Sequence, residues 1–206
     1  MPNIVNTVKP ASIYLSLFAS QFPRDDAYVW GIYVSCAQGD RGTLFRATAQ
    51  PNNSPFPDIS PRLFFESKEY DLYEDPDLFL LLELGALGER RTVREIHAIL
   101  EKVAIPAPEE EYSYLFNGRT WVIKAIMRLS AYGIIRSRRL ERMEDDIQVI
   151  AAEAFDGHVQ GHGWTVTKFI DRYATSCYCV SILTVTSSTS SEEGGRGSDS
   201  VSIRMP

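Results

Sequence analysis

The 206 residues, 44% of them apolar, are enough for one domain that buries roughly 70% of its unfolded surface. The formal net charge of −6 speaks against nucleic acid as the main partner, because phosphate binding needs a clustered excess of cations. No run approaches the ~18 uninterrupted apolar residues of a membrane span, no basic leader precedes the first apolar stretch, and three cysteines without framework spacing fit a reducing cytoplasm.

The N-terminal half reads as β. Residues 12–18 and 28–36 alternate large apolar side chains, the second run with Tyr28, Trp30, Ile32 and Val34 on one face. Gly39, Asp40, Arg41 and Gly42 supply a turn into a third strand over 43–49, a hairpin with the second. Residues 50–61 carry four prolines and two asparagines and read as a loop. Further strands are expected over 62–70 and 78–84, although the all-apolar second run fits buried helix as well.

After Gly88 the period changes to that of a helix. Thr92 and Glu95 have capping-box spacing, and Ile96, Ile99, Leu100 and Val103 form a stripe that ends before Pro106. A second helix opens near Asn117, with Trp121, Val122, Ala125, Ile126 and Leu129 on one side and Gly133 as its stop. A third covers 138–154 with Leu140, Met143, Ile147, Ile150 and Ala154 at helical spacing, and a short fourth helix is expected over 165–172. Beyond Thr184 the chain is Ser/Thr/Gly-rich and too poor in apolar residues to offset its ordering entropy, which gives a domain over 1–184 and a disordered tail over 185–206.

Familiar chemistry is sparse. His158, His162, Cys177 and Cys179 are of zinc-ligand type, but their spacing is wrong for common structural sites, so no metal is expected. Cys36 has no histidine among the first 96 residues to activate it and reads as a small half-buried thiol. Asp71, Glu74, Asp75 and the other carboxylates offer no pair set apart by burial. There is no phosphate loop and no dinucleotide motif, and no cofactor is expected. Arg136, Arg138, Arg139 and Arg142 read as a solvated helix face balanced by neighbouring acids.

Three stretches stand out together: Val29-Trp30-Gly31-Ile32-Tyr33-Val34, Gly42-Thr43-Leu44-Phe45-Arg46-Ala47 and Asn117-Gly118-Arg119-Thr120-Trp121-Val122. Their order over residues 28–135 resembles that of circularly permuted papain-like thiol enzymes, the NlpC-type proteins and lecithin:retinol acyltransferase relatives, and small fungal proteins of that type. Such proteins carry a histidine on the early strand and a cysteine at the helix start, where the dipole stabilises the thiolate. The matching positions here hold Val29 and Gly118, so the resemblance implies the fold without the thiol chemistry.

The fold expected is therefore α+β, an antiparallel sheet from the N-terminal half packed against C-terminal helices in a permuted papain-like arrangement. The resemblance implies a small-molecule-binding protein or a non-hydrolytic enzyme of cyclase or isomerase type in fungal secondary-metabolite biosynthesis. The alternative is a catalytically inactive papain-like module acting through protein interaction. Trp30, Arg46, Asn117 and Arg119 are the candidate ligand-binding residues, since an aromatic wall facing a helix N-terminus suits a carbonyl or anion. Arg119 adds weight because a cation in a first helical turn opposes the dipole, although its stem could equally reach out to solvent. The partner expected is a small molecule, with neither nucleic acid nor membrane, and the oligomeric state is left open.

Overall fold

The computed structural model describes residues 8–20, 28–37, 41–49, 63–88, 91–107, 110, 116–135, 140–161 and 164–168. The expected loop over 50–61, Arg136, Arg138 and Arg139, and the tail lie outside them.

Five strands, β1 (Ser12–Ala19), β2 (Tyr28–Ser35), β3 (Arg41–Ala49), β4 (Leu63–Asp71) and β5 (Leu78–Ala86), precede the helices α1 (Val93–Leu100), α2 (Gly118–Ala131) and α3 (Leu140–Val159), and β6 (Thr165–Lys168) follows them. Among the described residues, these six strands form one sheet in the order β4-β3-β2-β1-β5-β6. β1 lies at its centre, antiparallel to both β2 and β5. The all-apolar run 78–84 is thus strand, as its position beside β1 requires: Leu80 and Leu82 pack on one face and Leu78 and Leu81 on the other.

Two expectations are corrected. The sheet is mixed rather than antiparallel, because β6 runs parallel to β5 with Thr165 opposite Leu80 and Thr167 opposite Leu82. The segment expected to start a fourth helix is this strand, over 165–168. The reason is local as well as tertiary: Thr165, Val166 and Thr167 are β-branched in succession, and α3 returns the chain to the open edge of β5.

All three helices cover one face of the sheet. Trp30, Ile32 and Val34 of β2, Phe45 and Ala47 of β3 and Phe79 of β5 meet Ile96, Leu100, Trp121, Val122, Ile126, Met143 and Ile147 in one buried cluster. α1 begins with the expected capping box: the Glu95 N–H donates to Thr92 Oγ1 (3.2 Å) and the Thr92 N–H donates to Glu95 Oε2 (2.9 Å). α2 ends in a Schellman turn, with Gly133 at φ +65° and the Ile134 N–H returning to the Leu129 carbonyl at 3.0 Å.

The opposite face holds a second cluster of Tyr14, Phe18, Tyr33, Leu44, Leu72, Leu81 and Trp164. Leu72 comes from the short connection between β4 and β5, which lies against this face. Gly42 lets the start of β3 lie close against β2: a Cβ there would stand 2.2 Å from the Val34 carbonyl oxygen and 2.8 Å from the Tyr33 ring. Tyr70 reaches both Tyr33 and Phe18, at ring-centroid distances of 6.2 and 5.8 Å.

Candidate functional site

The strand pleat decides which side chains meet. Along β3, Phe45 and Ala47 face the helices and Leu44 faces away, so Arg46 faces away too. Along β4, Phe65 touches Phe45, His97 and Trp121 on the helix side, whereas Tyr70 belongs to the far face. At the end of the sheet near α1, the helix side stops being apolar. Cys36, Arg41, Thr43, Glu69 and Asp71 continue the alternation of β2, β3 and β4 past the last core residues.

Together with Val34, Gly42, Tyr70, Glu74 and Val93 they line a cleft of about 460 Å³, open to solvent. Thr43 stands opposite both Val34 and Glu69, and Arg41 opposite Asp71, so the walls are tied by main-chain pairing. The Arg41 Nε donates to Asp71 Oδ2 at 3.3 Å, and Asp71 Oδ1 accepts the Tyr73 N–H at 3.0 Å. Cys36 is half-buried, carries no disulfide and donates its N–H to the Arg41 carbonyl at 2.7 Å. Among the described lining residues, Arg41 thus faces Glu69, Asp71 and Glu74, of which it already pairs Asp71, over a floor of Val34 and Val93. This balance favours a ligand with a cationic or multiply donating group. Among the described residues that line the cleft there is no histidine.

Tyr70, whose ring packs on the face of the sheet away from the cleft, has its phenol held well above the usual value of 10. Burial is the main cause, and the nearby Asp75 carboxylate adds to it. Among the described residues, no three His, Cys, Asp or Glu side chains are grouped to hold a metal ion. Also among the described residues, no helix is long and apolar enough to cross a membrane.

The four residues chosen from sequence do not gather into one site. Trp30 is 2% exposed and packs inside the helix-side core. Arg46 lies across the sheet, paired with Glu66. Asn117 is the N-cap of α2, its Oδ1 accepting the Thr120 N–H at 2.9 Å and the Thr120 hydroxyl at 3.0 Å. Arg119 meets Glu144 of α3 at 3.2 Å, which accounts for a cation in the first turn of α2. His97 sits edge-on between Phe45 and Phe65.

The two positions matched to a base and a nucleophile are also apart. Tyr28 and Trp30 both pack on the helix side, so Val29 between them points to the other face, where it is 37% exposed. Gly118 starts α2 on the helix side, with its Cβ position 3.4 Å from the Ala47 carbonyl oxygen. A histidine at 29 and a cysteine at 118 would stand on opposite sides of the sheet.

Sequence reasoning named Cys36, Asp71 and Glu74 individually but did not join them. The available signal was the polar pair Arg41 and Thr43 at the start of a strand whose same-face continuation, Phe45 and Ala47, is core. No family model matches this chain, and no curated protein or solved structure matches it at a significant level.

Proposed function

We propose that this protein binds a small molecule in the cleft between the ends of β2, β3 and β4 and the start of α1. The observation that carries the reading is the cleft itself: about 460 Å³, within the range of small-molecule sites, with polar groups converging over an apolar floor. The ligand it suits carries an ammonium, guanidinium or several N–H donors for Glu69 and Glu74, and an apolar portion for Val34 and Val93. A role in non-hydrolytic turnover stays compatible with such a site, whose walls orient a ligand without supplying a nucleophile–base pair.

A thermal-shift screen of amine-bearing small molecules tests this. A ligand at a hundredfold excess over its Kd stabilises by about 2.7 kcal/mol, read as roughly 5–10 °C in a chain of this size. Glu69→Arg, a change at an exposed side chain, should weaken each true ligand at least about tenfold, or 1.4 kcal/mol. Arg46→Ala and Arg119→Ala should leave it intact. Ligands that ignore Glu69→Arg yet respond to Arg119→Ala would move the site to the α2 N-terminus.

The second reading is a module that works through protein contact. It is favoured by one observation, the nine-residue strand β4 at the edge of the sheet.

A further inference from the structure

β4 is the edge strand, and among the described residues its only strand neighbour is β3. It runs nine residues, Leu63–Asp71, in unbroken register with β3. Its outer row of N–H and C=O groups is a template for another strand. The pleat sets Phe64, Glu66, Lys68 and Tyr70 on the face away from the helices, and Phe64 is 40% exposed there.

We propose that this edge pairs, antiparallel and about a two-fold axis, with β4 of a second copy of the chain. The strand's own charge order selects that occupant. Overlap of the full strand places Ser67 opposite Ser67, Glu66 opposite Lys68, Phe65 opposite Glu69 and Phe64 opposite Tyr70 of the second copy. Both Glu66–Lys68 rungs then join opposite charges on one face, and the exposed Phe64 ring gains an aromatic partner. Sliding the axis by one residue in either direction, the smallest change that keeps the helices of both copies on the same side, sets Glu66 against Glu66 or Lys68 against Lys68. The register with the greatest overlap is thus the charge-complementary one, and its neighbours are penalised. The interface is isologous, as a closed dimer requires. Main-chain hydrogen bonds and the Phe64–Tyr70 contacts supply the attraction, and the Glu66–Lys68 rungs, with each Glu66 also holding Arg46 of its own copy, choose the register and the partner.

Sedimentation of the full chain from about 1 to several hundred micromolar tests the proposal, with circular dichroism on every variant. The wild type should show a reversible monomer–dimer equilibrium. Lys68→Glu and Glu66→Lys each place like charges on both rungs, and each should weaken association at least about tenfold. An equimolar mixture of the two variants restores opposite charges on both rungs and should recover the dimer, a result that a folding defect cannot produce. Amide exchange on the wild type gives a second readout should either variant fold poorly: outward β4 amides should exchange more slowly at high concentration. A wild type that stays monomeric throughout, a dimer indifferent to both charge reversals, or a mixture that stays monomeric would overturn the proposal.

Discussion

Gly42 and Gly118 are both glycines beside a carbonyl oxygen, and the structure separates their roles. A Cβ at Gly42 would lie 2.2 Å from backbone, with no flexible side chain to give way, whereas one at Gly118 would lie 3.4 Å from the Ala47 oxygen. Gly42→Ala should cost about 2–3 kcal/mol in urea unfolding, and Gly118→Ala should be neutral or stabilising because alanine suits a helix better. Arg119→Ala should change stability by less than about 1 kcal/mol, since the Glu144 pair is partly exposed and screened. The tyrosines set an alkaline limit. Tyr14, Tyr28 and Tyr70 are all held above 10 chiefly by burial, so each folded phenol keeps a proton that the unfolded one releases. Their contribution is fully present below pH 10 and is lost as pH rises beyond it. Stability should therefore fall above pH 10, and Tyr70→Phe should make that fall shallower when melting is followed from pH 8 to 11.

At the scale of elements, Thr92→Ala removes one half of the α1 capping box and should lower stability by about 1 kcal/mol, measured by thermal or urea unfolding. α1 is a clear case of an element legible in the sequence: Thr92, Glu95 and the stripe from Ile96 to Val103 all agree. The start and stop of α2 were equally readable, because Asn117 and Gly133 do local work that needs no tertiary partner. The first four strands were read as strands, whereas the all-apolar β5 run fitted buried helix as well until its place beside β1 decided it. β6 was not read as a strand, because four residues at a parallel edge have no period of their own, and their strand state is decided by α3 returning them beside β5. The candidate site was the least legible part. Trp30 and Arg46 sit on two strands whose hairpin pairing was correctly read, but on opposite faces. The cleft draws Cys36, Arg41, Thr43, Glu69 and Asp71 from the ends of three strands, and only their register brings these residues together.

Among the described residues, α1, α2 and α3 cover one face of the sheet and leave polar strand ends beside the start of α1. The cleft lies there. Of its carboxylates, Asp71 is paired with Arg41, and Glu69 and Glu74 stand beside it in the lining. The β4 edge lies on the same hairpin, and binding in the cleft and pairing at the edge share Glu69 and Asp71 as neighbours of both. The most direct measurement of the central claim is amide and methyl chemical-shift mapping, with isotope-labelled full-length protein titrated with the strongest amine ligand from the thermal screen. The account predicts saturable shifts concentrated at Val34, Cys36, Thr43, Asp71 and Val93, lost in Glu69→Arg. Saturable shifts centred instead on Gly118, Arg119 and Thr120, with Val34 and Val93 unmoved, would contradict it.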